Sequence, residues 1–319
     1  MIAMPNSAAV MLPLDPTDAV LQRFARLEQQ RLWPNGPRHL GVDALGVLVM
    51  VGLARTLGDP AWIDRAEALV GEVDRVLRRR RGYRAGEGAL RDEQVFHELA
   101  VWVFALAVLG EERPGYRARA VEVVREVHRA FVAPGQGVHA RRGEDVDHAS
   151  PDTGFGALDP IRGWVVYRVI DEVGLAEEIA EMEQLLRVSY PRLRVDRDVA
   201  LGSLLWLLHF FPDDLWARVL RERVLASLER MWLDGPGCFS RGPQARNARR
   251  ALGNHAIALG LRANGLQPDR VARTHLYWET ERWRGADRGI APQMIACASL
   301  LPVALLRRGP ADFSAAGVP

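Results

Sequence analysis

Residues 42–80 read VDALGVLVMVGLARTL, then Gly58 and Asp59, then PAWIDRAEALVGEVDRVLRRR. The first segment is almost wholly apolar, which is typical of a helix buried on all sides, whereas the second segment carries its charges on one face. Only two residues separate them, and Pro60 suits the first turn of the second helix. The stretch therefore predicts a helical hairpin with its apolar member inside and its amphipathic member outside.

The same hairpin pattern recurs along the chain. Twelve helices are predicted, of which the even-numbered ones tend to be apolar all round and the odd-numbered ones have one charged face. Loops that leave even helices are short and loops that leave odd helices are long, and the repeat of about 40 to 50 residues is that of helix-pair arrays. We therefore predict an all-α (α/α)6 toroid of six helical hairpins over residues 16–308, without strands. We expect residues 1–15 to form an N-terminal arm and residues 309–319 a loose C-terminal tail.

This arrangement of helices and loops resembles the six-hairpin glycosidase superfamily. That group shares its architecture with the N-acylglucosamine 2-epimerases, many glycoside hydrolases and polysaccharide lyases, and the ring domain of class II terpene cyclases. The resemblance covers nearly the whole chain and implies a pocket at the end where the inner helices begin. It lies in the pattern rather than in a motif, and a fold alone does not give a function.

Composition excludes several kinds of chemistry. All 42 basic residues are Arg, so a Schiff-base lysine, a pyridoxal phosphate anchor and a phosphate-loop lysine are excluded. The net charge of +2 requires neither nucleic acid nor an anionic membrane as a partner. No signal-peptide pattern is visible, and no segment reaches the roughly 18 uncharged apolar residues of a membrane span. We therefore expect a cytoplasmic protein without a cofactor; the sequence sets no oligomeric state.

The longest break between helices, residues 133–160, is rich in Gly, Pro and carboxylates. Asp159 precedes Pro160 and is interpreted as a helix cap. Asp147 and Asp152 lie in the middle of the loop beside His148, away from any helix start, and are the first candidates for a catalytic acid or base. Their alternative role is an Asx-turn or a solvated loop. Without an HExxH or paired CxxC motif, no metal site is predicted.

Glu93 and His97 form a second candidate pair. In a predicted helix over residues 92–109, their i,i+4 spacing places both side chains on one face, near the mouth of the pore. A histidine polarised by a glutamate is a good general base near neutral pH. The alternative is a satisfied core histidine. His255, on the tenth helix, is also a candidate general base but is predicted to lie deeper in the pore.

Aromatic residues lie where most odd helices run into their long loops. Flat rings around the rim of a pocket would stack on sugar faces, although each ring could instead pack against the neighbouring hairpin. The predicted substrate-binding residues are Trp33, Tyr83, His148, Tyr190, Trp232, Trp278 and Trp283.

These features predict a carbohydrate-active enzyme with a small-molecule or oligosaccharide substrate, preferably a glycoside hydrolase. In it, Asp147 or Asp152 would face Glu93 or Asp92 across the pocket. Three alternatives stay open. A sugar epimerase or isomerase would use His97 and His255, and a non-catalytic toroid would only bind a ligand or partner. A class II terpene or meroterpenoid cyclase would use an Asp general acid in a deep, dry pocket, lined by Trp102, Phe104, Trp164, Tyr167 and Trp206.

Overall fold

The computed structural model describes residues 15–88, 93–143, 146, 154–240, 250–280 and 289–306. Within these ranges the chain forms twelve α-helices: α1 Pro16–Gln29, α2 Leu40–Leu57, α3 Ala61–Leu77, α4 Phe96–Leu109, α5 Tyr116–Phe131, α6 Asp159–Asp171, α7 Ala176–Ser189, α8 Asp198–Leu208, α9 Leu215–Met231, α10 Arg250–Ala263, α11 Pro268–Thr280 and α12 Ile290–Leu300.

The even helices form a closed inner ring. Each even helix packs against the next, α6 meets α8, and α12 returns to α2. Every even helix is also covered by the following odd helix, and α1 covers α12, so the first and last helices together make the sixth hairpin. The predicted all-α (α/α)6 toroid is confirmed.

Burial follows the two layers. Nearly every residue of α4 is buried, whereas α5 buries only one face, because an inner helix is covered by neighbours on all sides. The inner helix Leu40–Leu57 is long and apolar enough to cross a membrane by length and composition, with a mean hydropathy of 1.7, but 72% of it is buried inside the toroid. Its apolar character is therefore that of a core helix.

In the described parts of the long loops, where we had predicted no strands, three short antiparallel strand pairs are present. The strands are β1 Glu93–Val95, β2 Val132–Ala133, β3 Gly137–Val138, β4 Arg141–Gly143, β5 Trp232–Leu233 and β6 Cys238–Phe239. The pairs β2–β3 and β5–β6 are hairpins that reverse the chain as it leaves an outer helix, and β1 pairs with β4. Such pairs satisfy the backbone N–H and C=O groups of partly buried loops.

The inner helices α8 and α10 approach each other closely at two glycines. A Cβ atom on Gly202 would lie 2.2 Å from the backbone carbon of Ala256, and one on Gly260 would lie 2.6 Å from the backbone oxygen of Gly202. Neither contact involves a flexible side chain that could move aside. The two glycines therefore set the distance between these helices.

We expect Gly260→Ala to destabilise the fold by about 1–3 kcal/mol, because the added methyl overpacks a backbone contact. Gly71→Ala is the matched control, since Gly71 lies within α3 with no atom within 4 Å of the added Cβ, and it should stabilise by about 0.5–1 kcal/mol. Urea unfolding of both variants measures the difference. An unchanged midpoint for Gly260→Ala would contradict the close approach of α8 and α10.

Candidate active site at the toroid mouth

Two connected cavities lie at the end of the toroid where the inner helices begin. The outer cavity has a volume of 650 Å³ and lies among loop residues and the first turns of α6 and α8. The inner cavity has a volume of 270 Å³ and is enclosed by α2, α4, α8, α10 and α12. His97, Val199 and Ser203 line both. The outer cavity therefore leads into the centre of the ring.

Glu98 is the buried carboxyl of this site. It lies in the first turn of α4, with about 10% of its side chain exposed, and its Oε1 is 3.7 Å from His39 Nε2 and 3.9 Å from His97 Nε2. Burial raises the pKa of Glu98 to about 8, despite the nearby Arg141 guanidinium. The carboxyl is therefore mostly protonated at neutral pH, the state that a proton donor requires.

Two local features place Glu98 at the mouth. The β1–β4 pairing and the hydrogen bond from Phe96 N to Ala140 O fix the start of α4 just before it. In the facing helix α2, Gly41 leaves room for the carboxyl, since a Cβ there would be 3.3 Å from Glu98 Cγ.

His97 projects into both cavities, with 55% of its side chain exposed. Protein nevertheless encloses the ring on its other sides, and this burial, together with Arg162 and Arg141, lowers the pKa of His97. The imidazole is therefore neutral at pH 7 and can accept a proton from a bound molecule.

His39 is the third polar residue at this end of the inner cavity, after Glu98 and His97, and a buried hydrogen-bond cluster holds it in place. His39 is the N-cap residue of α2, and its backbone N–H donates to Asp43 Oδ2 at 3.2 Å. Asp43 Oδ1 accepts from Trp33 Nε1 at 2.8 Å and from Arg38 Nη1 at 3.2 Å. Burial raises the pKa of Asp43 to about 6, an effect that Arg38 and Trp33 oppose. The sequence offered Trp33 as a rim residue, whereas it belongs to this cluster.

The outer cavity adds two carboxyl groups and two guanidinium groups. Asp159 forms a buried ion pair with Arg162, and burial raises the pKa of Asp159. Its predicted cap role is wrong, because α6 begins at Asp159 itself after Leu158 and no side chain makes a capping hydrogen bond.

Asp198, the first residue of α8, accepts a hydrogen bond from Val199 N at 2.9 Å, and Arg197 lines the cavity beside it. Asp198 is thus the carboxylate of the outer cavity without an ion pair in the described part of the chain.

Glu93 does not share a helix with His97. Because residues 93–95 pair with β4, α4 begins only at Phe96, and Glu93 forms an ion pair with Arg141 at 3.0 Å. The predicted same-face arrangement of Glu93 and His97 is therefore wrong. Asp92, Asp147, His148, Asp152 and Trp283 lie outside the described residues, so their predicted roles stay predictions.

The five described rim aromatics lie away from the two cavities. Trp33 and Tyr83 are fully buried, and Tyr83 Oη donates to Asp74 at 2.9 Å and accepts from Arg119. Trp278 is also buried, while Tyr190 and Trp232 are partly buried and do not line either cavity. The expected rim position is therefore wrong for these residues, because each ring packs between the layers or against its own hairpin.

His255 is also not on the wall of the pore. Leu252, Ala256 and Leu259 are the residues of α10 that line the inner cavity, whereas His255 is fully buried with its ring centroid 5.3 Å from that of His275. The expectation that His255 acts together with His97 is therefore wrong. Within the described ranges, no group of three or more His, Cys, Asp or Glu residues could hold a metal ion.

Sequence reasoning missed Glu98 and His39. A signal for Glu98 was present, since it is the one charged residue in the almost wholly apolar segment VFHELAVWVFALAVL. Burying a charged residue in such a segment is unfavourable in free energy, so its presence there indicates a functional role. His39 carried no comparable signal, because its position depends on the fold of the loop before α2.

Comparison with known proteins supports the fold. No protein-family model and no curated protein sequence matches the chain. Among solved structures, a cellobiose 2-epimerase from Spirochaeta thermophila DSM 6192 is similar over 93% of this chain and 99% of its own, with 12% identity and a TM-score of 0.61.

Two further solved structures show the same architecture. A D-mannose isomerase has 10% identity and a TM-score of 0.65 over 94% of this chain and 99% of its own. A family 76 α-mannanase from Bacteroides thetaiotaomicron has 9% identity and a TM-score of 0.67 over 92% of this chain and 97% of its own. At these identities the likeness shows the shared (α/α)6 toroid, and the predicted six-hairpin resemblance is confirmed at the level of the fold.

The buried cluster around Asp43 generates a stability prediction. Trp33→Phe removes the indole donor and should cost about 1–3 kcal/mol of unfolding free energy, because a buried acceptor loses a partner. Trp62→Phe is the control, since no hydrogen bond of the Trp62 indole is found in the described part of the chain. Chemical denaturation compares the two, and equal losses would argue against the hydrogen bond.

A second prediction concerns acid stability. Burial lowers the pKa of His275 to about 3 and that of His255 well below its usual value, with Arg23 and Arg262 also nearby. The unfolded state therefore binds more protons below pH 6.5, so both imidazoles make the fold less stable as pH falls; for His275 the loss should be about 1.4 kcal/mol per pH unit down to about pH 3. We expect His275→Gln to reduce this slope by about one proton. An unchanged slope in unfolding measured between pH 6.5 and 4 would contradict the buried neutral state.

Proposed function

We propose that the protein is a carbohydrate-active enzyme, and that its reaction is hydrolysis of a glycoside by acid–base catalysis at the toroid mouth. The observation that carries the proposal is Glu98, a carboxyl whose pKa is raised to about 8 and which lies beside the cavity-facing His97. Glycoside hydrolysis needs one carboxylic acid that is protonated at working pH, opposite an ionised group that activates water or attacks carbon. The shared architecture with sugar-processing enzymes supports the substrate class.

In the proposed reaction, the Glu98 carboxyl gives its proton to the glycosidic oxygen as the bond between that oxygen and the anomeric carbon breaks. A water oxygen forms the new bond to the anomeric carbon, and its proton passes to Asp198 or to neutral His97. The products are the free sugar and an alcohol. We assign the base role first to Asp198, because it lines the outer cavity without an ion pair in the described part of the chain.

The test is turnover of a panel of aryl glycosides. Glu98→Gln keeps the size of the side chain but removes the proton, and it should lower kcat by about 10²–10⁴-fold. Wild-type activity should fall as pH rises through about 8, because Glu98 then loses its proton. Glu222→Gln is the matched control and should retain activity, since Glu222 is exposed on the outer helix α9, which lines neither cavity. Full turnover by Glu98→Gln would remove the basis of the proposal.

A sugar isomerase or epimerase is the second candidate. The observation that favours it is that one oxygen of Glu98 lies within 4 Å of two imidazole nitrogens, and isomerisation requires a base for the C2 proton and an acid for the carbonyl oxygen. Incubation with free aldoses in D₂O separates the candidates. Deuterium at C2 would establish isomerase or epimerase chemistry, and its absence together with glycoside cleavage would establish hydrolysis.

The terpene cyclase alternative receives less support. Of its five proposed lining residues, only Trp206 lines the inner cavity; Trp102 packs on Tyr83 at a centroid distance of 5.6 Å, and Trp164 packs on Phe211 at 4.9 Å.

We propose a cytoplasmic location, supported by Cys238 and Cys297, which are buried and form no disulfide.

A further inference from the structure

The inner cavity has its imidazole and carboxyl groups at one end, and Ser203 of α8, which also lines the outer cavity, is the other polar side chain of its wall. His39, His97 and Glu98 lie at its upper end, at the N-cap of α2 and in the first turn of α4. Below them the walls are formed by side chains from the second and third turns of the inner helices. These deeper residues are Leu45, Val101, Ala256, Leu259 and Ile295. The cavity is therefore an apolar chamber beneath the acid–base cluster.

The floor of the chamber offers no hydrogen-bond donor. Trp206 lies two turns below Val199 on α8, roughly 10 Å deeper along the helix. Its Nε1–H donates to the backbone oxygen of Leu305 at 2.9 Å. The indole therefore presents only its apolar ring to the chamber, which Leu305 also lines.

A sugar ring is a poor occupant of this chamber. Each hydroxyl buried without a hydrogen-bond partner is strongly unfavourable, and among the side chains that line the chamber below Glu98 only Ser203 offers a hydroxyl. An apolar group suits it better, because an engineered cavity of roughly 150 Å³ lined by apolar side chains binds benzene, and this chamber measures 270 Å³. The outer cavity, with Asp198, Arg162 and Ser203, offers the polar groups that a sugar requires.

We propose that the substrate is a glycoside of an apolar aglycone, with the aglycone in the inner chamber and the sugar in the outer cavity. The glycosidic oxygen then lies at the junction, beside the Glu98 proton. This inference deepens the proposed function and rests on it. A bound apolar aglycone would also exclude water from Glu98, and the loss of solvation favours the protonated form of its carboxyl.

The experiment measures binding rather than turnover. Isothermal titration of the full chain with 1-alkanols from butanol to octanol tests the chamber alone. Alkyl β-D-glucosides, galactosides and mannosides from methyl to heptyl test the chamber together with the sugar. We expect affinity to rise by about fourfold for each added methylene until the chamber is full. The alkyl glycosides of at least one sugar should bind more tightly than the alkanol of equal length.

Two variants fill the chamber from different helices, so that a folding defect in one does not end the test. Ala256→Phe on α10 and Ala291→Phe on α12 should each abolish the dependence on chain length. Ala118→Phe, on the exposed face of α5, is the matched control and should keep it.

The outcomes separate this inference from the proposed function. A flat response to chain length in the wild type would overturn the apolar aglycone, while loss of turnover in Glu98→Gln would leave the hydrolase proposal standing. A chain-length response with alkanols but no gain from any of the three sugars would overturn the glycoside assignment and count against the hydrolase. A chain-length response that survives both filling variants would overturn the location of the site.

Discussion

The need to bury apolar helices on every side is the constraint on which this structure depends. Helices such as α2 and α4 have no polar face to give to water, so each must be covered by two inner neighbours and one outer helix. A ring covers all six inner helices at once: the contact of α12 with α2 closes it, and α1 covers α12 from outside. Because six helices in a ring leave a space at its centre, the same packing that stabilises the fold also creates the chamber.

The carboxyl groups of the two cavities enter this ring near its end. The first turn of an inner helix has free backbone N–H groups and borders the loops, so a carboxyl or imidazole there is partly solvated or paired. Glu98, Asp198 and the Asp159–Arg162 pair all lie in first turns. Their incomplete solvation raises the pKa of Glu98 and lowers that of His97. The two pKa shifts therefore have one cause, the position of both groups at the edge of an apolar ring.

The fold was predictable because its signals are local. Helical periodicity, the apolar inner helices and the alternation of loop lengths each depend on residues close in sequence. The site depends on contacts between distant residues. Glu93 lies outside α4 because it pairs with Gly143, fifty positions away. Trp33 lies in the core because Asp43 accepts its indole hydrogen bond and Gly46 leaves room for its ring. No periodicity records these contacts, so the aromatic rim and the Glu93–His97 pair were wrong although the toroid was right.

The long loop of residues 133–160 carries many carboxylates, yet the cluster that the structure describes is built on helix starts. This placement has a physical advantage. The backbone of a packed helix is held by the core and fixes the position of a side chain in its first turn. The position of a side chain in the middle of a loop is set only by the loop backbone, which is more mobile. His39 illustrates the point, since its backbone is held by Asp43, which Trp33 and Arg38 hold in turn. Trp33 thus contributes to the site without lining it, because it holds Asp43, which holds His39, whose Nε2 lies 3.7 Å from the Glu98 carboxyl.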